Sequence, residues 1–248
     1  LADHTLAAEI VTPTHRVATR ATFVYPAANM KLPIVATLPF GAGVAVVETS
    51  GDFARLARGG FVFARHLAPV DLPERDFVAV AESMIGAPYL WGGKTPLGVD
   101  CSGLVQSSLT ACGVAAPRDT DMQAKGLGEH LPIADDLAHL RRGDLVFWKG
   151  HVGMMRDADT LLHASGYQMQ VVAEPLKGWL QWAETNCQDI DRPLGALSAH
   201  VLKKLDDPVH PARMEYIRGE HVCHYKQPDS STLPILHSER SCALAGCT

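Results

Sequence analysis

No stretch of about 18 apolar residues runs through these 248 residues, which excludes a membrane-spanning helix. The first 30 residues also lack the charged-then-apolar pattern of a signal peptide. No run of lysine or arginine exceeds two and the net charge is −5, so there is no electrostatic footprint for nucleic acid or anionic lipid. Neither partner is expected. The six cysteines, at 101, 112, 187, 223, 242 and 247, are few for this length and form no compact framework, so a disulfide scaffold is not expected. A free reactive thiol stays open. The chain starts at Leu1 rather than Met, which leaves room for a removed leader or upstream domain.

What is present reads as an ordinary globular protein: 47% hydrophobic and 20% charged residues exclude both disorder and a fibrous repeat. The length suits one or two domains plus appendages. Residues 11–70 contain VATRATFVY, PIVATL, GVAVVE and FARLA, short valine-rich runs separated by Pro26, Gly41, Gly43, Gly51, Gly59 and Gly60. About five strands in so short a segment predict a small barrel. Pro69, Pro73 and accumulating charge then mark a linker at 71–75.

A different periodicity follows. Phe77, Val80, Ala81, Met84 and Ile85 recur at helical spacing before Gly86 and Pro88, and a second stripe runs Cys101, Leu104, Val105, Ser108, Leu109 and Cys112 to Gly113. Asp100 is placed to cap that second helix. From Arg141 the period returns to two in DLVFWK, HVGMM, TLLHAS and MQVVAE, an antiparallel meander ending near 189–194. Helices followed by a sheet predict an α+β domain.

Cys101 falls where a turn becomes a helix. Unpaired N–H groups and the positive dipole end there favour thiolate over thiol and can hold an oxyanion. The alternative is a buried small hydrophobe, the role assigned to Cys112. His151 begins a strand and His163 lies on the next. A hairpin loop of odd length centred near Asp157 puts both on one sheet face, and an even loop separates them. A cysteine, a histidine beside it and a third polar residue that orients the imidazole is the logic of a thiol protease.

PYLWGG (88–93), DCSGLVQ (100–106), RRGDLVFWKGHVGMM (141–155) and LLHASG (161–166), in that order, closely resemble the NlpC/P60 family of cell-wall cysteine peptidases. The resemblance covers about 75–195, so 76–195 is taken as a papain-like catalytic domain with helices packed on an antiparallel sheet. It implies Cys101 as nucleophile, His151 as general base and acid, His163 as orienting residue, and Tyr89 beside the thiol or oxyanion. It also implies that Asp100 and Ser102 bind the free amine of a terminal L-alanine. Arg118, in the APRDTDMQ segment, is a candidate for pairing a substrate carboxylate, with a plain surface ion pair as the alternative. Trp91, Trp148 and Phe147 are taken as cleft wall and core rather than sugar platforms.

The implied reaction is hydrolysis of the γ-D-glutamyl–diamino acid bond in peptidoglycan-derived peptides, with no cofactor or metal. An acyl or amide transferase and a wall-binding module without turnover are the alternatives. Residues 11–70, through GDFARLARGGFVFARHL, are similar to a bacterial SH3-type barrel, with 1–10 a possible remnant of a preceding one. Such a barrel is expected to bind wall peptide or to narrow the cleft. The 196–248 extension departs from the family. ARMEYIRG there suits a short helix, and His221, Cys223, His224, His237, Cys242 and Cys247 match no zinc spacing. Bacterial cytoplasm and cell envelope both remain open as locations, and the sequence does not fix the oligomeric state.

Overall fold

The architecture comes from a computed structural model, which describes residues 11–128, 140–148, 150–186, 201–204 and 213–215. Possible strand residues at 189–194, the remnant at 1–10 and the tail's histidines and cysteines lie outside the described residues.

The N-terminal segment folds into eight short strands. β1 (His15–Val17) lies between β4 (Gly43–Val44) and β8 (Leu67–Pro69), and β2 (Ala21–Val24) pairs with β3 (Ala36–Pro39). β5 (Val46–Ser50), β6 (Phe53–Leu56) and β7 (Phe61–Phe63) form a third antiparallel sheet. Val24, Val44, Ala54, Leu56 and Val62 point inward from all three and share one small apolar core. No closed barrel is found among the described residues. The ladder is interrupted by a register shift between Val46 and Glu48, and a single bridge, Tyr25 to Phe61, joins β2 to the third sheet.

The expected linker is tied down. Glu74 N–H donates to Ala111 carbonyl, and Arg16 reaches across to the Glu74 carboxylate at 2.9 Å and to the Leu72 carbonyl at 3.1 Å. Asp76 then caps α1 (Phe77–Glu82) by accepting from the N–H groups of Val78 and Ala79. This helix stops three residues before the end of the apolar stripe, and Met84 and Ile85 continue as turns to Gly86 at φ 82°.

After a two-strand ribbon, β9 (Lys94–Thr95) and β10 (Gly98–Val99), comes α2 (Cys101–Ala111). α3 (Thr120–Gly126), which has no sustained apolar stripe, was not predicted from the sequence. β11 (Leu145–Trp148), β12 (His151–Met155), β13 (Thr160–Ser165) and β14 (Gln170–Pro175) form the expected meander, followed by α4 (Leu176–Asn186). Beyond the expected boundary at 195, β15 (Val201–Lys204) pairs with β11 and β16 (Arg213–Glu215) pairs with β15. The ARMEYIRG segment therefore supplies a strand where a helix was expected.

Strand alternation gives the six-stranded sheet two covered faces. Val152, Met154, Leu162 and Ala164 pack against Leu104, Val105 and Leu109 of α2. Val146, Trp148, Met155 and Leu161 pack against Leu176 and Leu180 of α4. Burying a leucine such as Leu104 or Leu109 contributes about 1.5–3 kcal/mol, so the α2 stripe alone anchors the start of that helix firmly to the sheet.

Candidate active site

Cys101 is the first residue of α2, held there by Asp100, whose carboxylate caps the helix by accepting from Gly103 N–H at 2.7 Å. A side chain on Gly103 would put Cβ 2.2 Å from the Gly93 carbonyl, so glycine is needed for the helix start to press onto the WGG turn. The thiol is only 6% exposed. Its partners are Thr120 Oγ at 3.8 Å and the backbone N–H groups of Val152 and Ser102. Burial raises the thiol above its ordinary pKa, with the Asp100 charge acting in the same direction, against the lowering by the Val152 amide, Thr120 and the Ser102 amide. The expected preference for thiolate is therefore reversed in this arrangement, because desolvation outweighs the helix start.

The histidine hairpin has the odd loop that places both rings on one face, centred on Ala158 rather than Asp157: Met154 pairs with Leu162 and Met155 with Leu161. His151 Nε2 lies 2.8 Å from His163 Nδ1, and His163 Nε2 lies 2.7 Å from Glu174 Oε1. Gln168 Nε2 donates to the other Glu174 oxygen at 3.0 Å. Trp179 of α4 stacks on His151, with centroids 5.7 Å apart and planes 16° from parallel, and meets His163 edge-on. Burial, aided by His163, holds His151 well below the usual histidine range. Gly153 leaves space chiefly for Leu161, since a Cβ there would sit 2.6 Å from Leu161 Cδ1 and 3.2 Å from His163 Cβ.

These rings are on the α4 face, whereas α2 brings Cys101 to the other. The two meet at the open end of β12, where Val152 N–H turns to the thiol. Among the described residues no hydrogen bond joins Cys101 to His151; one peptide unit separates the amide that touches sulfur from the imidazole-bearing Cα. Tyr89 is close enough for the Cys101 and Asp100 charges to act on it, and burial followed by those charges holds its phenol well above the usual range. Its hydroxyl makes no hydrogen bond among the described residues.

Asp100, Ser102 and Arg118 come together as a closed cluster. Arg118 grips Asp100 with both terminal nitrogens, at 2.9 and 2.6 Å, and also donates to Ser102 Oγ at 2.9 Å and the Gly93 carbonyl at 3.2 Å. Asp100 further accepts from Gly92 N–H at 2.8 Å and Ser102 Oγ at 3.3 Å. With the Gly103 cap, every lone-pair direction of this carboxylate is in use. Arg118 is thus engaged in a partly buried bidentate pair, not a plain surface one. Trp91 is 79% exposed on its turn, so it is neither core nor a buried cleft wall, whereas Phe147 and Trp148 are buried.

Glu174, Gln168, Thr120 and Trp179 escaped the sequence reading. Glu174 was reachable in principle: His163 pairs with Val172, which puts Glu174 diagonal to His163 on the same face. Finding it requires the register of the 166–169 turn, where Met169 takes a left-handed φ of 54°. Among the described residues no group of three histidines, cysteines or carboxylates could hold a metal ion.

Residues 86–187 match the NlpC/P60 family. Over that stretch, less than half of its length, the chain is similar to this family. It is 39% identical over 89 residues to dipeptidyl-peptidase 6 of Lysinibacillus sphaericus, covering 36% of this chain and 31% of that protein. It is 28% identical over 159 residues to a gamma-D-glutamyl-L-lysine dipeptidyl-peptidase of Bacillus cereus, covering 60% and 45%. The chain thus spans less than half the length of either relative. A crystal structure of an NlpC/P60 family protein from Bacillus cereus superposes with a TM-score of 0.58 over 84% of this chain and 64% of that one, at 18% identity. That likeness establishes the mixed helix-and-sheet fold.

Proposed function

We propose that this chain is a cysteine endopeptidase that hydrolyses the γ-D-glutamyl–diamino acid bond of peptidoglycan stem peptides. The observation that carries the reading is a helix-start thiol that meets the Val152 amide, next in the chain to His151, whose ring is hydrogen-bonded to His163, in a stretch similar to the NlpC/P60 family. The names of the relatives, a dipeptidyl-peptidase and a gamma-D-glutamyl-L-lysine dipeptidyl-peptidase, support the substrate.

In this mechanism His151 takes the Cys101 proton as sulfur attacks the γ-glutamyl carbonyl carbon. Hydrogen bonds of this kind are commonly long in the free enzyme and tighten when substrate seats. N–H groups of the α2 first turn and the Tyr89 hydroxyl stabilise the oxyanion. Collapse breaks the C–N bond, and the leaving amine takes the proton back from His151. Water, deprotonated by the same imidazole, then hydrolyses the thioester. His163 orients His151 throughout. Asp100 and Ser102 receive the terminal amine, which must exchange with an Arg118 hydrogen bond. Arg118 and Trp91 face the peptide at the rim. Residues 11–70 act as an SH3-type module that narrows the cleft.

Cys101→Ala is expected to abolish release of the diamino acid-containing product while leaving the circular dichroism spectrum unchanged. Mass analysis of products distinguishes hydrolysis from transfer to an added amine. Undiminished cleavage by the alanine variant would sink the proposal.

A further inference from the structure

We propose that Glu174 is a positioning residue that locks the tautomers of both histidines, so that the lone pair of His151 stays on Nδ1. This rests on the peptidase reading above. A carboxylate only accepts hydrogen bonds, so at 2.7 Å from Glu174 Oε1 the His163 Nε2 atom must carry hydrogen. In neutral His163 that leaves Nδ1 as an acceptor. The 2.8 Å contact from His151 Nε2 to that atom must then be a donation from His151. With its hydrogen on Nε2, neutral His151 has its lone pair on Nδ1, the nitrogen left free for the thiol proton.

The direction of the whole chain is set at its far end. Without the carboxylate, His163 can carry hydrogen on Nδ1 instead, which forces His151 Nε2 to accept and puts a hydrogen on His151 Nδ1. The base would then be blocked at the nitrogen it needs. Gln168 strengthens the lock by donating to the second Glu174 oxygen at 3.0 Å, which fixes the carboxylate in the plane of approach. His163 is buried, so solvent does not substitute for the missing acceptor. Trp179 covers both rings from α4 through stacked and edge-on ring contacts, and among the described residues Glu174 is the polar end of the chain.

When His151 accepts the thiol proton, both of its nitrogens carry hydrogen and its bond to His163 persists unchanged. No rearrangement is needed in turnover. The role therefore differs from that of a residue touching substrate: loss of Glu174 should lower kcat and leave KM nearly unchanged.

The test has two arms. Imidazole ¹⁵N spectra of Cys101→Ala protein, which need no turnover, should show both histidines as Nε2–H tautomers at neutral pH. Adding Glu174→Leu should produce mixed tautomers at both rings. In the active protein, Glu174→Leu should reduce kcat on the order of 10²-fold with KM within about twofold. Glu174→Asp should recover part of that loss, and Glu174→Gln, which keeps one accepting oxygen, should fall between and serves if the leucine variant does not fold. Unchanged tautomers in the folded leucine variant, or kcat equal to wild type in the leucine or glutamine variant, would overturn the lock. If wild-type protein cleaves no stem peptide, the peptidase reading fails, and the spectra alone decide whether Glu174 sets the tautomers.

Discussion

At the scale of the residue, the sulfur of Cys101 is under two opposed influences whose sizes differ. A helix start contributes about 0.3–1 kcal/mol toward the anion, and up to about 2 kcal/mol when partly buried. Removal from water can move a fully buried group by up to about 3–5 pKa units, several kcal/mol in the other direction. For an acid, a raised pKa means that the neutral form persists to higher pH. Iodoacetamide should therefore modify Cys101 in the free protein with a rate that climbs only above about pH 8.5, the value of an exposed thiol. A midpoint well below that value would mean that His151 pairs with the thiolate in solution. The place of this residue at a turn-to-helix junction was legible in the sequence, since it needs no tertiary information. Its environment was not, because burial by Thr120 and the Val152 amide depends on two elements distant in the chain.

At the scale of the element, the start of α2 is held by one carboxylate that caps the helix, grips Arg118 and binds the WGG turn. The helix and its cap were readable from DCSGLVQ and the apolar stripe, whereas the parity of the histidine hairpin stayed open until the register of its strands was seen. Arg118 was readable only as a candidate, because its bidentate partner is 18 positions away and the intervening loop carries no period. α3 was missed for a related reason: seven residues with Gln123 and Ala124 as their buried pair show no stripe. The Asp100–Arg118 pair is partly buried, at 10% and 28% side-chain exposure. Breaking a fully buried pair costs about 3–5 kcal/mol, and solvent screening at this exposure reduces the expected coupling to roughly 1–3 kcal/mol. A double-mutant cycle of Asp100→Asn and Arg118→Met, read by urea unfolding, should return a coupling of that size. Additive effects would show that the two side chains act independently, and would free Asp100 for a substrate amine at no cost.

At the scale of the molecule, the change near 70 from short β runs to helical stripes was legible in the sequence. The arrangement of the first unit as three small sheets and the extension of the second unit's sheet by β15 and β16 were not, since both depend on pairings between distant segments. The join between the two units is a set of specific contacts. Arg16 bonds Glu74 and the Leu72 carbonyl, Arg20 bonds the Ser83 and Ile85 carbonyls beyond α1, and Phe40 packs against the apolar core of the second unit. Ser83 and Ile85 lie where a helix has ended and carbonyls lack intrahelical donors, so Arg20 serves the helix terminus as well as the join. A net hydrogen bond contributes about 0.5–1.5 kcal/mol, and exposure of Arg20 places its share at the lower end. The Arg16→Ala, Arg20→Ala double variant should therefore lose on the order of 1–3 kcal/mol from the join. Hydrogen exchange should report the loss unevenly: amides of the N-terminal core, such as Val24 and Val62, should exchange faster, while those of Leu104 and Leu109 in α2 stay protected. Equal acceleration in both places would mean that the units unfold together, with the arginines stabilising one cooperative body rather than fastening two.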